Sequence, residues 1–95
     1  MTLLTVLNKV IGDDKMTMRT IWAIAREVNE DWKKPYFGAV PYLDAMRSLS
    51  TIRENYFDDS AESVVRYFLA NASTWRGDVA KRVKLELKTM LKEVA

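Results

Sequence analysis

Apolar residues recur every three to four positions through almost the whole chain, and only three glycines and two prolines interrupt them. So little turn chemistry does not suit the many short loops of an all-β fold, and the period matches one face of an α-helix. Leu3, Leu4, Leu7, Val10 and Ile11, with Gly12 as a stop, predict a first helix over residues 2–11. Met18, Ile21, Trp22, Ala25, Val28 and Trp32 form the stripe of a second helix. Its candidate caps are Asp13, Asp14 and Thr17, and Pro35 ends it at or before Lys34. Pro41 suits the first turn of a third helix. The stripe of that helix, Tyr42, Ala45, Met46, Leu49, Ile52 and Tyr56, holds the period as far as Asp58-Asp59-Ser60. Asp59 and Glu62 have the spacing of a capping box for a fourth helix through Val64, Val65, Phe68, Leu69 and Ala72. A fifth, capped by Thr74 or Asp78, buries Val79, Val83, Leu87, Met90 and Val94, with Trp75 extending that face. No alternating strand pattern of useful length, internal repeat or long linker is present. The expected fold is all-α, a single compact bundle of four to five helices in one domain of 95 residues.

The chemical inventory narrows function. There is no cysteine, so thiolate nucleophiles, disulfides and cysteine metal sites are excluded. There is no histidine, which removes the commonest general acid–base group and the commonest transition-metal ligand. Asp13-Asp14 and Asp58-Asp59 with Glu62 lack the alternation and central glycine of a calcium loop, and helix capping accounts for them. Gly12, Gly38 and Gly77 stand alone, so no phosphate loop exists. No spacing supports Ser–Lys chemistry. A non-enzymatic protein without cofactor or metal is expected. The N-terminal apolar run is too short to span a bilayer and has neither a basic leader nor a cleavage site, which points to the cytoplasm and away from membranes.

Charge is unevenly placed. Residues 41–72 carry three basic and five acidic groups, whereas residues 73–95 carry six and three. At 100° per residue, Lys81, Lys84, Lys88 and Lys92 share one strip of the fifth helix, opposite its core face, with Leu85 in its middle. The plain explanation is a solvated outer face. The functional ones are contact with an acidic protein surface, self-association into a homodimer, or phosphate contacts on nucleic acid. Glu86 and Glu93 near the strip's edge, and the lack of clustered arginines for reading bases, count against nucleic acid.

The stretch DWKKPYFGAVPYLDAM holds four rings around two prolines. Trp32 and Tyr42 fall on helix stripes and are expected inside. Tyr36 and Phe37, beside Lys33 and Lys34, are left over. Phe37 either folds back under the corner, meets a protein partner, or stacks on a base. In NASTWRGD, Trp75 either plugs a helix junction while Arg76 pairs with an acid such as Asp78, or the two residues form an interface hot spot. The candidate partner-binding residues are therefore Tyr36, Phe37, Arg76, Lys81, Lys84, Leu85, Lys88 and Lys92.

The runs PYLDAM and YFLANASTWRGDVAKRVKLELK, with NASTWRGD the most specific element, resemble a group of small uncharacterised proteins encoded by phages and prophages. The resemblance covers residues 41–91. It implies a phage-borne protein acting in the host cytoplasm, as an inhibitor or adaptor of host machinery, anti-CRISPR and other anti-defence proteins included. It assigns no functional residues. A virion assembly subunit is a third option.

Overall fold

The computed structural model describes residues 19–94. The helix expected over residues 2–11, and the caps Asp13, Asp14 and Thr17, lie outside them. The described part is mostly helical: α1 (Ile21–Asp31), a 3-10 turn (Phe37–Ala39), α2 (Val40–Met46), α3 (Ala61–Ala70) and α4 (Asp78–Val94). A two-residue antiparallel pair, β1 (Asn55–Tyr56) and β2 (Asp59–Ser60), precedes α3.

Helix α1 opens at Thr20, whose Oγ1 accepts the Ala23 N–H at 3.2 Å. The next two donors find partners in a distant segment: Ile21 N–H bonds the Ser50 carbonyl at 3.0 Å and Trp22 N–H the Leu49 carbonyl at 2.8 Å. These contacts satisfy first-turn groups that a helix leaves open. They also explain why α2 stops at Met46 and does not continue to Tyr56 as its period predicts. In a longer helix the carbonyls of Leu49 and Ser50 would bond four residues ahead; here they close α1. Local polar groups hold the break. Ser48 Oγ donates to the Ala45 carbonyl at 3.0 Å, and Ser50 N–H donates to Glu54 Oε1 at 2.9 Å. Leu49 and Ile52 are still buried, so the apolar spacing marks core residues correctly while the backbone between them turns.

The fourth helix starts one residue later than the Asp59–Glu62 spacing implies. Ser60 is its cap, with Oγ accepting the Ser63 N–H at 3.0 Å. Gly77 adopts φ +112°, a region closed to most side chains, and turns the chain into α4. Ala80, Val83, Leu87, Met90 and Leu91 form the buried face of α4, while Val79 and Val94 pack at its margin. Trp22, expected on the buried stripe of α1, lies outside it, because Ile21, Ile24, Ala25 and Val28 already fill the inward arc.

At the core's centre three rings meet. Trp32 at the end of α1 stacks on Trp75, with centroids 5.8 Å apart and planes 12° from parallel. Phe68 of α3 meets both edge-on, at 6.4 and 6.5 Å. On another side, α1 and α4 are tied by charge. Arg19 donates to both Glu86 oxygens at 3.0 and 2.7 Å and lies 2.9 Å from Glu27, which also accepts from Arg82.

Arg82 foremost, opposed by partial loss of solvent and seconded by Arg19, holds the Glu27 carboxyl below its ordinary value of 4.5. A carboxyl lowered by folding stabilises the fold above its unfolded pKa, and that contribution is lost as pH falls through the folded value. Glu27→Gln should therefore be less stable than wild type at neutral pH, with the gap closing below pH 4.5. Urea unfolding over a pH series checks this; a gap that ignores pH would refute the role of ionised Glu27.

Candidate interaction surface

The connection between α1 and α2 is a rigid corner. Trp32 N–H bonds the Val28 carbonyl at 2.7 Å and closes α1, and the Trp32 ring is buried. After Pro35, Ala39 N–H bonds the Tyr36 carbonyl at 2.9 Å, and the tight turn buries Ala39. Gly38 sits where a Cβ would lie 2.6 Å from the Tyr36 ring and 2.8 Å from Asn71 Oδ1. No larger residue fits without moving those side chains, so Tyr36 is pressed onto the backbone between the corner and the end of α3. Phe37 does not fold back under the corner. Its ring is 80% exposed and meets the Tyr36 ring at 4.9 Å. Tyr42 is half-buried and pairs at 5.5 Å with Tyr67, which is itself exposed on α3.

The second element is the junction Asn71 to Asp78. Trp75 is 2% exposed, and its Nε1 donates to Asp31 Oδ2 at 2.8 Å. Asn71 caps α3, its Nδ2 donating to the Tyr67 carbonyl at 2.8 Å. Arg76 is exposed, and the expected pairing with Asp78 does not form among the described residues. One side of this junction touches the Tyr36 corner through Asn71, and the other touches α4 through Trp75.

That second contact changes the lysine strip. Lys84 Nζ donates to the Trp75 carbonyl at 2.6 Å and lies 5.9 Å from the ring centre. Desolvation first, then repulsion from Lys88 and Arg76, lowers the Lys84 pKa below its ordinary value. Lys84 is thus half-buried and structural. Lys81, Leu85, Lys88 and Lys92 remain as the exposed line, with Leu85 65% exposed at its centre. Glu86 faces away, into the Arg19 ion pair.

Sequence reasoning missed Phe57. It lies in the two-residue turn between β1 and β2, is 87% exposed, and has φ +55°. Glycine or asparagine normally marks such a turn, and neither is present to signal it. The ring touches Tyr56 edge-on at 4.7 Å, and Asp58 and Asp59 are exposed beside it. A left-handed backbone costs an ordinary residue about 1–2 kcal/mol, while glycine loses about 0.5–1 kcal/mol through its freer unfolded chain. Phe57→Gly should therefore leave stability unchanged or raise it by up to about 1 kcal/mol. A loss larger than that in urea unfolding would mean that the ring supports the fold.

Among the described residues, no three carboxylates gather to hold a metal ion. No described helix is long and apolar enough to cross a membrane. Compared with protein-family models, with curated proteins and with solved structures, the chain matches none, and its function must be argued from its own surface.

Proposed function

We propose that this chain is a non-enzymatic protein-binding module whose primary contact is the Tyr36–Phe37 corner. The exposed ring of Phe37, carried on a turn whose backbone is closed by its own hydrogen bonds and by the fit of Gly38, is the observation that supports this most. A ring presented by a rigid backbone loses little freedom on binding, which is how pre-organised contacts gain affinity. Aromatic and arginine anchors dominate protein interfaces, and Arg76 is exposed in the junction whose Asn71 meets the corner. Lys81, Leu85, Lys88 and Lys92 then form a basic rim with one apolar anchor, suited to an acidic protein surface. With the resemblance of residues 41–91 to phage proteins, the partner is a component of host machinery in the host cytoplasm, and the chain inhibits or adapts it.

The test is affinity capture from host lysate with the full chain, run beside Phe37→Ala and Leu85→Glu. Both variants change exposed side chains, so their helical circular dichroism and unfolding midpoints should match wild type. A discrete captured protein should bind Phe37→Ala about 30-fold or more weakly, the loss that defines a hot spot. Equal capture by all three forms would remove the corner and the strip from the interface. The second reading, nucleic-acid binding through α4, rests on Lys81, Lys88 and Lys92. A homodimer through Leu85 would show as a shift in elution volume that Leu85→Glu abolishes.

A further inference from the structure

A different face of the molecule carries a groove of about 470 Å3 lined by Trp22, Arg26, Asn29, Glu30, Lys33 and Arg47. Trp22, Arg26, Asn29 and Glu30 are spaced so that they align along one face of α1, and Lys33 follows in the connection after its end. Arg47 follows α2 and closes the opposite side. Apart from Lys33, which stands at the start of the α1–α2 connection, none of the six belongs to the corner, the junction or the α4 strip, and the inference goes beyond the protein-binding proposal.

Three properties of the groove bear on what it takes. First, Arg26, Lys33 and Arg47 are exposed and form no ion pair among the described residues, although Glu30 stands one turn from both Arg26 and Lys33. Three cations against one carboxylate leave the groove positive. Second, the Arg26 guanidinium lies over the Trp22 ring, 5.3 Å from its centre, and Trp22 is 40% exposed. A guanidinium plane and an indole so placed make a platform on which a nucleic-acid base can stack. Third, Asn29 presents an amide on the same face, able to donate to and accept from a base edge.

We infer that this groove binds single-stranded nucleic acid, with one base stacked on the Trp22–Arg26 pair and backbone phosphates on Lys33 and Arg47. A strand fits better than a free nucleotide. Trp22 and Asn29 are seven residues apart within α1, about 10 Å along its axis, and Lys33 lies past the helix end, so the lining is longer than one base needs. All six lining residues are exposed, whereas sites for small molecules enclose most of the ligand.

The test is fluorescence anisotropy of a short labelled oligo(dT) with the full-length protein. Two phosphate contacts give a log–log salt slope of about −1.4 for a single strand, so affinity should fall about 7-fold between 50 and 200 mM salt. Trp22→Ala should weaken binding about five-fold or more. Arg47→Gln changes only an exposed side chain, so it tests the groove even if Trp22→Ala folds poorly; it should weaken binding and flatten the slope by about 0.7. No binding at about 50 mM salt, or unchanged affinity in Arg47→Gln, would overturn the inference. Equal loss on Lys88→Gln would move the strand to α4 and overturn it too. Competition by AMP at the same affinity as the strand would replace it with a mononucleotide site. Because capture of a protein partner by Phe37 is read separately, failure here leaves the corner untouched, and the reverse holds.

Discussion

Trp75→Ala should cost about 3–5 kcal/mol in urea unfolding, the usual loss for truncating a buried ring. The indole is 2% exposed, stacked face to face on Trp32 and met by the edge of Phe68, so its removal opens a cavity where α1, α3 and the start of α4 converge. It also removes the bond from Nε1 to Asp31. Asp31 is exposed and regains water, so that bond adds about 1 kcal/mol at most. A domain of this size is stable by about 5–14 kcal/mol in all, and one substitution would consume a large part of it. Trp75→Phe should lose less, because a ring remains between Trp32 and Phe68. A change in Trp75→Ala within about 0.5 kcal/mol, as at an exposed site, would place the ring outside the core and move it to the interaction surface.

Burial was more legible in the sequence than backbone path. Trp32, Leu49, Ile52, Phe68, Trp75 and Leu87 are all inside where the apolar period puts them. Yet Leu49 and Ile52 reach the core from a turn, because the backbone at Leu49 and Ser50 is drawn away to close the start of α1. That contact joins residues nearly thirty positions apart, and no local pattern announces it. The β1–β2 hairpin is two residues on each side, too short for alternation to register, and its turn holds phenylalanine where turn chemistry calls for glycine. Of the candidate site, Tyr36, Phe37, Arg76 and Leu85 are exposed, which the sequence left open for Phe37 because a ring after a proline turn fits either side of a corner. Lys84 differs for a reason periodicity cannot supply. It lies at the edge of the strip nearest the junction, and only the folded position of the Trp75 carbonyl decides that its ammonium turns inward.

Lys84→Glu should therefore behave unlike Lys88→Glu, though both reverse a lysine on the same helix. At Lys84 the change removes a charge-assisted bond to the Trp75 carbonyl and sets a carboxylate against that carbonyl's oxygen in a partly desolvated place. Such a bond is worth about 1.5–3 kcal/mol, and an unpaired acceptor adds to the loss, so about 2–4 kcal/mol is expected. Lys88 is exposed, and its reversal should stay within about 0.5 kcal/mol. Urea unfolding of the two variants decides; equal and small losses would return Lys84 to the outer strip. The result also governs how nucleic-acid binding by α4 can be tested. If Lys84 is structural, a DNA defect in Lys84→Glu reports unfolding and says nothing of phosphate contact. Three lysines then remain, Lys81, Lys88 and Lys92, and their log–log salt slope on duplex DNA would be about −2.7, since each contact contributes about −0.9. Affinity would fall about 40-fold between 50 and 200 mM salt by that relation. An acidic protein held by the Phe37 ring and Leu85 would lose much less over the same range, because apolar burial is not screened. The salt slope measured on wild type and on Lys88→Glu thus separates the two uses of the strip without disturbing the junction beneath it.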